Sequence, residues 1–267
     1  MNNVFDFKRF GNYFLYDLRN AKNNYGLSLL ILGCLPIAIF LVVQLFSLIF
    51  TQQVTTIGMV PKYVQIGVVA FVTTLGAGAK IYGHLTEKKA GSNFLMLPAS
   101  TLEKWLSMSL VVCIAVPLVL FGLQIASDAL MSLIFPTAYG ARVYELIPLQ
   151  QAKDSMAEVG ISFNFAGYMF VEWCESILLF TLGAIVFKKS KIAKTILCLL
   201  GFSFLLSTIM MIIIGFDGVN VYFNWLEHYD TVTGAVQAAN WTMNISFIVT
   251  LGLILGGMYY RIRTLKH

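Results

Sequence analysis

Glu172 and Glu175 stand in an apolar run, 165–187, that contains no Lys or Arg, and Asp128 stands toward the far end of another, 105–134. Carboxylates in such surroundings can line a polar path, hold a cation or a lipid headgroup, or carry a proton. A spacing of three puts Glu172 and Glu175 on one helix face. An acidic residue at the centre of a span costs about 2.5–3.5 kcal/mol, and each Leu, Ile or Phe returns only about 0.3–0.6. That face is therefore expected to turn toward protein or water, with Asp128, Glu172 and Glu175 as candidate residues of a translocation path. The structural alternative is that Glu172 and Glu175 are partly protonated and bonded to Ser, Thr or Asn on neighbouring helices, and the residues leave both readings open. Nothing else in the chain spells catalysis. There is no G-x-x-x-x-G-K-[ST] run to cradle ATP phosphates, no H-E-x-x-H, no G-x-S-x-G and no metal-ligand spacing. No catalytic residue, metal or cofactor is expected.

The elements that must position these carboxylates are membrane spans. Of the 267 residues 58% are hydrophobic and only 12% charged, against about 45–50% and about 25% in soluble domains. A hydrocarbon layer about 30 Å thick needs about 20 helical residues. Six runs qualify: 27–50, 64–82, 105–134, 165–187, 195–216 and 245–260, the last with a start movable toward Ala238. The fold class predicted is all-α, a polytopic membrane protein of six transmembrane helices. With the N-terminus in the cytoplasm, all 18 Lys and Arg except Lys62, Arg142 and Lys153 fall on the cytoplasmic side, as the positive-inside rule demands. Both termini are thus expected to be cytoplasmic. The same distribution removes a nucleic-acid partner, because the basic residues are divided among short juxtamembrane segments. Counting from Lys188 at 1.5 Å per residue sets Glu175 roughly 20 Å and Glu172 roughly 24 Å from the cytoplasmic end, in the outer half.

Residues 1–26 read as a cytoplasmic interfacial helix, with Phe7, Phe10, Phe14 and Leu18 at spacings of three and four on its apolar face. An amphipathic helix packed on a protein partner is the alternative. Residues 27–267 form the transmembrane domain. Its extracytoplasmic segments are 135–164 and 217–244, and the second is free of Lys and Arg and rich in aromatics. That composition suits either a half-inserted hairpin or a loop anchoring the last span. Cys34, Cys113, Cys174 and Cys198 lie inside apolar runs and are expected to be reduced. Pro36 and Pro117 are expected to kink their helices. Gly76 and Gly78, and Gly252, Gly256 and Gly257, are read as close-packing positions.

The connection between the second and third spans, 84–104, is the most informative. Pro98 stops any helix before it, and Ser100 with Glu103 has the spacing of a capping box that opens the next one. Ahead of that cap Phe94, Leu95, Met96 and Leu97 form an apolar cluster in a segment that should face water, and such a cluster calls for a partner. The charged turn with Glu87 and Gly91, followed by Leu97-Pro98-Ala99-Ser100 and then Lys104, resembles the corresponding loop of ABC-2 type transporter permeases. This resemblance implies a six-span subunit of the bacterial cytoplasmic membrane that works as a homodimer or heterodimer and pairs with a separate ATP-binding cassette subunit. It assigns Glu87, Gly91, Phe94, Leu95, Leu97, Pro98, Ser100 and Lys104 to the docking segment. It also implies an interfacial first helix and short re-entrant helices near 217–244. Many members carry an Arg soon after the Ser, where this chain has Thr101, Leu102 and Glu103.

The function expected is the permease subunit of an ATP-driven exporter, in contact with membrane lipids and without an ATPase site of its own. A proton- or cation-coupled secondary carrier using Glu172 and Glu175 is the rival, and a non-transporting membrane scaffold is a third reading. Dependence on ATP or on external pH separates the first two.

Overall fold

The computed structural model describes residues 5–143, 165–214 and 231–265, together with Asn224 and Tyr229. Every regular element among them is helical. α1 (Phe7–Gly33) begins at Asp6, whose carboxylate accepts from the Arg9 amide, and runs without a break past the predicted boundary at residue 26. α2 (Leu35–Thr51) follows after a 42° bend at Cys34. Pro36 causes that bend: lacking an N–H, it leaves the Leu32 carbonyl without a helical donor. The Gln124 amide donates to the Leu32 carbonyl at 2.6 Å and Ser127 Oγ to that of Gly33 at 2.8 Å. Gly33 is required here, since a Cβ would collide with Leu123. Two polar residues of a long apolar helix thus complete the hydrogen bonding of a broken one.

α3 (Met59–Tyr82) leads through a 3₁₀ turn, Gly83–Thr86, into the short α4 (Lys88–Met96). α5 (Thr101–Leu110) opens on Ser100, and the predicted capping box is formed: Ser100 Oγ accepts from the Glu103 amide while the Glu103 carboxylate accepts from the Ser100 amide. A π-turn, Val111–Ala115, joins α5 to α6 (Val116–Ile134), with Pro117 in its first turn. The irregularity therefore spreads over the turn before the proline. The one-turn α7 (Pro136–Tyr139) follows, then α8 (Phe165–Val186), α9 (Lys191–Ile214) and α10 (Val232–Thr264).

Among the described residues five helices are long and apolar enough to cross a membrane, at Met59–Thr86, Thr101–Ile134, Gly167–Val186, Lys191–Ile212 and Thr233–Thr264, and the bent α1–α2 pair makes a sixth if it counts as one span. This is the make-up of a multi-pass membrane protein. α8 packs chiefly on α3 and also on α9 and α10, while α1 lies against α3, α5 and α6. Gly78 lets α3 meet α8, because a Cβ there would overlap Thr181. The small-residue reading thus holds at Gly78. Of Gly252, Gly256 and Gly257 in α10, Gly257 meets Leu182 of α8, while Gly252 and Gly256 face open space. The last helix starts at Val232, so the second half of the aromatic segment 217–244 is continuous with the final helix. Residues 144–164 of the segment 135–164, and 217–223, 225–228 and 230 of the segment 217–244, lie outside the described residues. The four cysteines are free thiols.

The first helix departs from expectation in which face it buries. Its stripe is Tyr13, Asp17, Ala21, Tyr25, Leu29 and Gly33, a strict spacing of four, whereas Phe7 is 83% exposed and Phe10, Phe14 and Leu18 are half-buried. α1 is a packed member of the bundle along this stripe. Two carboxylates stitch it in place. Asp17 Oδ2 accepts from Tyr82 Oη at 2.8 Å and Ser107 Oγ at 2.7 Å. Glu103, wholly buried, accepts from the Asp6 amide and pairs with the Arg9 guanidinium through Nε (2.8 Å) and Nη2 (2.6 Å). Truncating Glu103 orphans several donors together, so Glu103→Ala should cost about 2 kcal/mol or more in thermal unfolding of the detergent-solubilised chain. Adding Arg9→Ala to it should cost little further.

Candidate functional site

Three groups of residues carry the chemistry, and they lie apart. The first is the connection between α3 and α5. Phe94 is buried in the main core, and the Lys104 ammonium sits 4.8 Å from its ring centre while donating to the carbonyls of Phe94 (2.7 Å) and Leu95 (3.4 Å). A cation on the last carbonyls of a helix satisfies acceptors that have no helical donor. Lys104 therefore clamps the C-terminal end of α4 onto the start of α5. Gly91 is buried, Ser100 is committed to the cap, and Leu97 is half-buried. Glu87, Leu95, Pro98 and the 78% exposed Met96 face outward. The predicted apolar cluster is thus divided. Phe94 and Lys104, expected in the docking segment, belong to its mounting, and Leu95, Met96 and Pro98 form the uncovered apolar edge. The split follows from helical geometry, because four consecutive residues cannot share one face.

This connection sits at the end of the bundle where the basic side chains gather. Lys191 Nζ donates to the Gly83 carbonyl, Arg261 Nε to that of Ile185 at 3.1 Å, and Arg9 meets Glu103. Each of these cations closes a helix end or a buried carboxylate.

The second group lies at the opposite end. Asp128, buried, accepts from Tyr139 Oη at 2.7 Å and from the Val143 amide at 2.9 Å. Lys62, buried as well, donates to the carbonyls of Tyr139 (2.9 Å) and Ala141 (2.7 Å) and lies 3.7 Å above the Tyr139 ring. These contacts pin α7 and the backbone after it over the ends of α3 and α6. Beside them a largely apolar cavity of ≈ 240 Å³ is bordered by Asp128, Gln65, Gln124, Trp173 and Pro36, with the two glutamines hydrogen-bonded to each other at 3.0 Å. Asp128 is thus a structural acceptor on the wall of a cavity able to hold an apolar group.

The third group is Glu172 and Glu175. Glu172 is exposed, Glu175 is half-buried, and neither meets a hydrogen-bond or ion-pair partner among the described residues. Their face of α8 is bracketed by two contacts with α10: Tyr168 Oη donates to Asn244 Oδ1 at 2.9 Å, and Leu182 reaches Gly257. The cavity that Asp128 borders is not lined by the glutamates, and the bonds from the glutamates to Ser, Thr or Asn that the alternative reading requires are not made among the described residues.

Sequence reasoning missed Asp17, the role of Glu103 as an inter-helix acceptor, and Lys62 as a buried cation. The spacing-four series from Tyr13 to Gly33 was the available signal for Asp17. Lys62 gave none, because a lone Lys beside a turn is indistinguishable from a solvated one.

No protein-family profile, curated protein or solved structure matches this chain.

Removing the Asp128 carboxylate strands the Tyr139 hydroxyl and the Val143 amide, so Asp128→Ala should lower stability by about 1–3 kcal/mol. Asp128→Asn, which keeps one acceptor, should be milder. The Glu172→Gln/Glu175→Gln double variant should leave the unfolding midpoint unchanged, since no partner is lost.

Proposed function

We propose that this chain is the membrane-spanning subunit of an ATP-driven exporter, docking a separate ATP-binding cassette subunit through the outer edge of α4. One observation carries the reading: a short helix with an uncovered apolar edge at Leu95, Met96 and Pro98 is fixed from behind by Phe94 and Lys104. A helix mounted so firmly transmits displacement. A push on α4 passes through Lys104 to α5 and through Glu103 and Arg9 to α1, and the π-turn Val111–Ala115 supplies a yielding point on the way to α6.

In this reading the basic end of the bundle faces the cytoplasm, both termini are cytoplasmic, and the membrane is the bacterial inner membrane. The exposed apolar sides of α9 and α10 meet lipid or a second permease subunit, the same or different. The cavity beside Asp128 is part of the translocation path, and Glu172 and Glu175 line it in another conformation or at the subunit interface. The resemblance of 84–104 to the ABC-2 permease loop and the side preference of Lys and Arg support this reading. The secondary-carrier alternative draws on one specific feature, the unpartnered glutamates, and requires transport that continues without ATP.

Leu95→Ser/Met96→Ser should abolish co-purification with the ATP-hydrolysing partner while membrane insertion and the unfolding midpoint stay as in the parent chain. Phe94→Ser should lose both, because it empties the core beneath α4. Undiminished co-purification of the Leu95/Met96 variant would remove α4 from this role.

A further inference from the structure

A second pocket, ≈ 150 Å³, lies between α1, the end of α3 and α4, bordered by Tyr13, Tyr16, Asp17, Asn20, Tyr82 and Asn93, with His84 alongside. Its floor is buried: Asp17 is 3% exposed, Tyr82 1% and Tyr13 7%. Its mouth is formed by the exposed Tyr16 and Asn93 and the half-buried Asn20. Among the described residues, both hydrogen bonds to Asp17, from Tyr82 and Ser107, end on Oδ2, and Oδ1 receives none. No cationic side chain forms an ion pair with Asp17 among the described residues. A buried carboxylate needs a counter-charge or a proton, and the only free oxygen belongs to a residue on the wall of an aromatic pocket.

The surroundings choose among cations. No group of three His, Cys, Asp or Glu side chains able to hold a metal ion exists among the described residues, so the full oxygen shell a hard divalent cation requires is missing. Three tyrosine side chains lining a pocket beside one carboxylate instead suit an organic ammonium, which can combine ring attraction with a charged hydrogen bond. The space admits a group of a few non-hydrogen atoms with water. We infer that this pocket binds the ammonium group of a small amine or of an aminophospholipid headgroup, with Asp17 as counter-charge and Tyr13, Tyr16 and Tyr82 as walls. The site is independent of the exporter reading, since the residues it takes from the α4 segment do not include Leu95, Met96 and Pro98, the edge on which that reading rests.

The test uses the full chain, purified in detergent in amine-free buffer and titrated with methylammonium and tetramethylammonium chloride against sodium chloride at equal ionic strength. Saturable binding by calorimetry, with a matching rise in unfolding midpoint for the ammonium salts and none for sodium, is expected. Asp17→Asn should weaken it at least tenfold, and Tyr16→Ala, an exposed position, about fivefold without changing the midpoint of the free protein. Absence of saturable binding, an equal response to sodium, or unchanged affinity in Tyr16→Ala overturns the inference, and the last criterion stands even if Asp17→Asn does not fold. Discs of phosphatidylethanolamine and of phosphatidylglycerol separate the two sources. Blocked probe binding in the first alone identifies a lipid headgroup, and equal binding in both identifies a free amine.

Discussion

Glu103 is a carboxylate with no exposure that sits where three helices meet, and the arrangement around it depends on its charge being answered. It caps its own helix at Ser100, accepts from the backbone of Asp6 ahead of α1, and holds Arg9 one turn into α1. A buried ion left unpaired would cost more than the local packing could return. The first turn of α1 is therefore obliged to lie on the first turn of α5. The next residue, Lys104, reaches the other way and closes α4. Two adjacent side chains of opposite charge thus fix α1 and α4 to the same point on α5. Asp17 repeats the device two turns farther along α1, tying it to α3 and α5.

The same logic accounts for the polar residues inside the apolar helices. Gln124 and Ser127 look like defects in a lipid-crossing segment, yet each serves a carbonyl released by the break at Pro36. Backbone polar groups within a bilayer must find partners in the protein. A proline bend in one helix consequently dictates hydrogen-bond donors on the helix beside it. At the far end Lys62 and Asp128 hold α7 in place by serving backbone groups in the same way.

What was legible in the residues was whatever depends on local order. The apolar runs after the first located the long helices, Pro36 marked the bend that splits the run 27–50 between α1 and α2, and Ser100 with Glu103 a cap that is formed in full. What was not legible depends on which face meets which neighbour. The phenylalanines of α1 have the spacing of a buried stripe, but the bundle takes the adjacent stripe through Asp17, because Tyr82 and Ser107, 65 and 90 residues away, supply its donors. Phe94 and Lys104 read as parts of an exposed docking segment for the same reason, since nothing nearby in the chain reveals that each holds the other. Glu172 and Glu175 remain without partners among the described residues, so the reading of them as lining or coupling groups rests on surfaces that a single chain leaves open.

In the function proposed above, the end of the bundle that carries α4 faces the cytoplasm and offers Leu95 and Met96 to a motor subunit. Labelling of a single cysteine at Met96, in a chain with the four native cysteines replaced, tests it most directly with a membrane-impermeant maleimide. The account predicts reaction in inverted membrane vesicles and none in intact cells. Reaction in intact cells would set α4 on the outer surface, beyond the reach of any ATP-hydrolysing partner, and contradict the claim.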